Sequence, residues 1–177
     1  MSLLIDVVGV LEGQRVRYAL IGAAALAVHG VSRATADVDL LTLDTRVLDE
    51  GLWATFKDRG VGIRLLKGDF DDPLAGTVRV SAAADIVDIV VGRFDWQREI
   101  VESARRLSVG ELSLPVAGPA GLILLKLHAG GPKDAWDVRG LLEAVEDATE
   151  VASEVERALA RLPQEARRLW SRLRSEG

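Results

Sequence analysis

Two short apolar runs bracket an alanine-rich segment in YALIGAAALAVHGVSRATADVDLLT, residues 18–42, and this stretch restricts the fold more than any other. Tyr18 to Ile21 has the length and character of a buried strand. Gly22 interrupts it, and Ala23 to Val28 is so small and apolar that it reads as a helix pressed onto a sheet, ended by His29 and Gly30. A second apolar strand then carries Asp37 and Asp39. Side chains two apart on a strand share a face, so these carboxylates stand side by side. Aspartate is disfavoured in strands, and adjacent like charges cost free energy unless a cation or proton compensates. The pattern predicts a metal site at one end of a sheet.

The rest of the chain supplies that sheet and its covering. Leu3, Leu4, Val7, Val8 and Leu11 recur at helical spacing up to Gly13. Val47 to Phe56 reads as an amphipathic helix ended near Gly60, and Gly62 to Leu66 as a strand. KGDFDDPLAG, residues 67–76, is turn chemistry. Strands are expected at Thr77–Val80 and Asp85–Val91, the second interrupted in character only by Asp88. A helix over Asp95–Arg105 and a hairpin over Leu107–Leu114 turning at Gly110 follow. Pro119 suits the first turn of a helix running to Ala129 and stopped by Gly130-Gly131, and Pro132 starts another. The remainder gives one or two amphipathic helices interrupted near Pro163. The expectation is an α/β (α+β) chain with a mixed sheet: one domain over 1–177, with an α/β core at 1–115 and a helical part at 116–177.

Composition narrows the chemistry. There is no cysteine, and two histidines without cysteine make a structural zinc site improbable, so a metal here would take oxygen ligands. The net charge of -5 gives no general attraction for nucleic acid. No stretch reaches membrane-spanning length and the start lacks a basic, then apolar leader pattern, which predicts a cytoplasmic protein.

Asp37, Asp39 and Asp88 converge if their strands are neighbours, and a convergent acidic triad is what two-metal phosphoryl or nucleotidyl transfer requires. Magnesium suits such a site because it takes carboxylates, water and phosphate oxygens. Gly22 permits close approach of backbone to a ligand, and the helix it opens offers N–H groups to phosphate. Asp85, three residues from Asp88, faces the other way on a regular strand. Other polar residues carry two readings. Arg33 binds phosphate or orders its loop by pairing with an aspartate. Lys126, inside the apolar run Leu122 to Leu127, snorkels to solvent or faces the acidic site. Asp134 and Asp137 suit the first turn of a helix as caps. Lys133 is a surface charge or a phosphate ligand, His29 a partner for its own helix end, and the tail arginines a solvated face.

The runs IGAAALAVHGVSRATADVDLL, IVDIVV and LILLKLHAGGPKDAWDVRGLL, in that order, resemble the minimal nucleotidyltransferases of the polymerase-beta superfamily, with the nearest likeness to the abortive-infection and toxin–antitoxin branch. The likeness spans Tyr18 to Leu142. It implies a mixed sheet flanked by helices and a C-terminal helical segment. Asp37, Asp39 and Asp88 become catalytic metal ligands for two Mg2+ ions, with Mn2+ as a substitute, and Asp88 helps to deprotonate the acceptor. Gly22 and Ala23 become the triphosphate turn, and Arg33, Lys126 and Lys133 contacts to phosphate or nucleic acid. Ala23 departs from the serine or second glycine of many members, which removes a hydroxyl donor and leaves the backbone donors. The implied activity moves a nucleoside monophosphate from an NTP to the hydroxyl of an RNA, a protein or a small molecule, releasing pyrophosphate. The alternative is a catalytically weak module that binds a partner protein in a toxin–antitoxin or phage-defence system.

Overall fold

The computed structural model describes residues 3–32, 37–131 and 133–175, so Arg33 and Pro132 lie outside the described residues. Helix α1 (Leu3–Gly13) leads into β1 (Tyr18–Ile21), α2 (Gly22–Val28) and β2 (Asp37–Thr42). Then come α3 (Ala54–Asp58), β3 (Gly62–Lys67), β4 (Gly76–Ala82), β5 (Asp85–Val91), α4 (Asp95–Ser103), β6 (Arg105–Val109) and β7 (Leu112–Val116). Four helices complete the chain: α5 (Pro119–Ala129), α6 (Asp134–Ala144), α7 (Ala148–Leu159) and α8 (Gln164–Ser175).

Among the described residues, seven strands form one mixed sheet in the order β3-β4-β5-β2-β1-β7-β6. The β1–β2, β5–β4, β4–β3 and β7–β6 pairs are antiparallel, whereas β2–β5 and β1–β7 are parallel. Strand alternation decides which side chains reach the core. Leu20, Leu40, Ile89 and Val78 form a row across four strands, and each is fully buried. Helix α1 packs on β4 and β5, α4 on β1 and β2, and α5 on α6, α7 and α8. Val155, Ala166, Trp170 and Leu173 bury the apolar stripe of the last two helices in the same core, with Leu162 from the link between them.

One expected element is corrected. Val47 to Phe56 is not a continuous helix but two 3-10 turns, Thr45–Leu48 and Glu50–Trp53, followed by the short α3. The cause is local: Asp44 and Asp49 each accept from a backbone N–H two residues ahead, at 3.0 Å from Arg46 and 2.9 Å from Gly51. Such aspartate turns compete with helix propagation. Val47, Trp53 and Phe56 are nevertheless buried, so the apolar positions serve the core without an intact helix.

Candidate active site

The site is built on the row next to the core row. Ile21 on β1 pairs with Asp39 on β2, Asp39 with Asp88 on β5, and Asp88 with Arg79 on β4. Residues directly opposite on neighbouring strands point to the same face. Asp39 and Asp88 are therefore adjacent, and Asp37, two residues earlier on β2, shares their face. Burial raises the Asp39 pKa to about 6, helped by the negative charges of Asp88 and then Asp37 and opposed by Lys126 and Arg79. The structure brings these carboxylates into electrostatic contact. Asp85 is exposed at the start of β5.

Gly22 follows β1 directly, with φ of +65°, and the Asp39 side chain occupies the space a Cβ would need. Ala23 is buried behind it in α2. The turn and the carboxylates thus form one unit. His29 hydrogen-bonds through Nε2 to the carbonyl of Ala117 at 2.9 Å, tying the end of α2 to the segment before α5. Its side chain serves that cross-link, a role different from the expected capping of its own helix.

Arg79 was not singled out from the sequence. Its Nε donates to Asp88 Oδ1 at 2.8 Å and its Nη2 to Oδ2 at 2.7 Å, a bidentate pair. The signal was there in the hairpin arithmetic. A two-residue turn at Ala83 and Ala84 pairs Ala82 with Asp85, and counting back pairs Arg79 with Asp88.

Lys126 has a more definite place than either sequence reading. Its Nζ donates to Asp134 Oδ1 at 2.9 Å and lies 2.7 Å from Asp137 Oδ2, with 18% of its side chain exposed. Burial by itself would lower its pKa, but the two carboxylates outweigh that and raise it, so the ammonium stays charged. Asp134 also accepts from the Gly131 N–H at 2.7 Å. Asp137, expected as a cap, is a buried ion partner, 6% exposed. The corner between α5 and α6 is thereby fastened, and the Lys126 charge acts on Asp39. Lys133 is exposed just before α6.

An all-carboxylate donor set suits a hard cation such as magnesium, and the repulsion from Asp88 and Asp37 that adds to burial in raising Asp39 is what a cation relieves. As the side chains stand, no group of three or more His, Asp or Glu residues among the described residues is gathered closely enough to hold a metal ion. Both oxygens of Asp88 are taken by Arg79. Among the described residues, no helix is long and apolar enough to cross a membrane.

No protein-family model and no curated protein sequence matches the chain. Solved structures do. The solution structure of the antibiotic-resistance factor ANT(2'')-Ia superposes with a TM-score of 0.57 at 11% identity over 90% of each chain. The crystal structure of ANT(2'')-Ia with adenylyl-2''-tobramycin gives 0.55 at 13% identity, over 90% of this chain and 96% of that one. An antigenic nucleotidyltransferase-like protein from Paracoccidioides brasiliensis gives 0.50 at 21% identity, over 93% of this chain and 87% of that one. The mixed sheet with its flanking helices is a nucleotidyltransferase-like fold.

Proposed function

We propose that this chain transfers a nucleoside monophosphate from an NTP to a hydroxyl acceptor and releases pyrophosphate. The observation that carries the reading is the register that sets Asp39 beside Asp88, with Asp37 on the same face and Gly22 closed against Asp39. Once Arg79 leaves Asp88 and the side chains draw together, Asp37, Asp39 and Asp88 would hold magnesium, which when bound would neutralise charge on the triphosphate and the leaving pyrophosphate. Gly22 lets backbone come close to the triphosphate, Lys133 supplies positive charge, and Lys126 holds the α5–α6 corner beside the carboxylates. Asp88 would accept the proton of the attacking hydroxyl once Arg79 releases it. The neighbouring structures include a complex with adenylyl-2''-tobramycin and a lincomycin-bound lincosamide adenylyltransferase, which favours a small hydroxylated molecule as the acceptor to try first.

A second reading, a catalytically weak module that binds a partner in a toxin–antitoxin or phage-defence system, draws support from Arg79 lying across Asp88. Thermal unfolding with and without Mg2+ and each NTP separates the two. Ligand at a hundred times its dissociation constant adds about 2.7 kcal/mol, and each kcal/mol moves the midpoint by roughly 2–4 °C in a chain of this size. Transferase function requires a shift that needs both metal and NTP and is lost in Asp37→Asn/Asp39→Asn. It also requires pyrophosphate release over a panel of aminoglycoside, lincosamide, RNA and protein acceptors. Absence of any shift leaves the partner-binding module.

A further inference from the structure

The carboxylate row does not end at Asp88. Beyond it, on the same face, Arg79 on β4 stands directly opposite Arg64 on β3. Like charges paired across strands are destabilising unless something compensates them. Arg79 has Asp88 as its counter-ion. Arg64 is exposed, and its guanidinium has no hydrogen bond or ion pair among the described residues. In the next row Asp37 is followed by Ile86, Ser81 and Gly62, so the Ser81 hydroxyl shares the face of Arg79, two residues along β4. A Cβ on Gly62 would stand 2.7 Å from Ser81 Oγ, and this glycine is not one of those with positive φ. Its bareness keeps the hydroxyl open. The alternate residues of β4, Val78 and Val80, are fully buried on the opposite face, so the arginines stand on the side of the sheet left to solvent.

Position along the row separates this cluster from the donor. Gly22 adjoins Asp39 at one end, and the arginines lie at the other, past Asp88. β4 and β3 are three and four strands from β1, about 14 and 19 Å at roughly 4.8 Å per strand. The Gly22 turn and the arginine pair therefore address different groups. If Asp88 turns to a metal ion, Arg79 and Arg64 become adjacent cations without a counter-ion, and two guanidinium forks with a hydroxyl match the several oxygens of a phosphate. We propose that the acceptor carries a phosphate, held by Arg64, Arg79 and Ser81 beside Asp88, and that Arg79 passes from Asp88 to this phosphate as the acceptor docks. The role as acceptor rests on the nucleotidyl-transfer reading above. The exchange frees both oxygens of Asp88 only when the right substrate arrives, and a polycationic acceptor is repelled. Two sources share the chemistry: a small phosphorylated hydroxyl compound and the phosphodiester at the end of an RNA.

Calorimetric titration of the full chain with glycerol 3-phosphate, a hexa-adenylate RNA and neutral glycerol tests this. Saturable binding of a phosphate probe, and none of glycerol, is expected. Arg64→Ala should weaken it by about 10- to 150-fold, the range of one hydrogen bond to a charged group, with an unchanged unfolding midpoint and an unchanged metal-dependent NTP shift. Arg64→Lys should recover part of the loss, since it keeps the charge and loses the fork. The bound probe should tighten Mg2+ binding in the wild type but not in Arg79→Ala, where nothing holds Asp88. Binding of glycerol 3-phosphate assigns the cluster to a small acceptor; binding of the RNA alone assigns it to an RNA end. The proposal is overturned if neither phosphate probe binds at millimolar concentration or if Arg64→Ala binds them as well as the wild type. It is also overturned if Arg64→Ala loses the NTP shift, which would give the arginines to the donor. A metal-dependent NTP shift without phosphate binding removes the phosphate cluster alone, and Arg64-dependent phosphate binding without any NTP shift removes the transferase reading alone.

Discussion

The Asp39 carboxylate lies where the side chain of residue 22 would be: a Cβ built on Gly22 would stand 2.0 Å from Asp39 Oδ2 and 2.7 Å from its Cγ. A side chain at residue 22 would therefore exclude the carboxylate from its present position. Gly22→Ala places a side chain at φ +65°, which costs about 1–2 kcal/mol in backbone conformation, and also expels the carboxylate. Its Tm should fall by at least several degrees, and metal-dependent NTP stabilisation should vanish. A variant with wild-type Tm and NTP response would show that Asp39 has room elsewhere.

Asp39 itself should destabilise the metal-free chain at neutral pH. Its pKa is pushed up to about 6 from 3.8, so between those values the folded state binds more protons than the unfolded one. Stability therefore falls as pH rises from about 4 to 6 and stays reduced above, by on the order of 2–3 kcal/mol. In chelator at pH 7.5, Asp39→Asn should raise Tm and flatten that part of the profile while abolishing transfer. Circular dichroism melts across pH decide it, and an unchanged profile would mean that neither burial nor the neighbouring carboxylates disfavour the Asp39 charge.

Arg79 competes for Asp88. Both carboxylate oxygens accept from its guanidinium, so any metal ion using Asp88 must displace or share it. Arg79→Ala should bind Mg2+ more tightly than the wild type in calorimetry, with little change in Tm because the arginine side chain is half exposed. Weaker Mg2+ binding would instead make Arg79 the group that aims Asp88.

The buried Lys126 pair behaves differently from a surface ion pair. Lys126→Met removes the cation that Asp134 and Asp137 share, Asp137 in a site that water hardly reaches, and should cost about 2–4 kcal/mol. Adding Asp137→Asn should recover part of the loss. Additive losses in the double variant would show that the two groups are not coupled.

His128 gives the acid side of the stability profile. Its ring lies edge-on to the stacked Phe94 and Trp96, with no hydrogen-bond partner for either nitrogen among the described residues, and burial holds its pKa below the ordinary histidine value. The unfolded state takes up a proton first, so stability is lost as pH falls below about 6.5. His128→Phe should remove that loss, read from urea midpoints at pH 5 and 7.

Much of this architecture was readable from residue order. The β1 strand, the Asp37–Asp39 strand, the hairpin turning at Gly110 and the α5 stop at Gly130 are local, and their patterns survive folding. The 3-10 breaks at Asp44 and Asp49 were hidden because the apolar spacing of Val47, Trp53 and Phe56 imitates a helix while aspartate side chains redirect the backbone. The carboxylate row could be expected only conditionally, since whether β2 and β5 are neighbours is a property of the whole sheet. What a side chain meets in another element left no local trace, as with Asp137 under Lys126 or the exposure of Trp136.

The row from Ile21 to Arg79 runs through the middle of the sheet, and the spacing between Asp39 and Asp88 is maintained by main-chain hydrogen bonds between β2 and β5. The carboxylates therefore stand on a fixed gauge that no substitution at an outer strand resets. β3 and β6, at the two edges, each have one neighbouring strand, so changes of length or charge there leave the central register as it is.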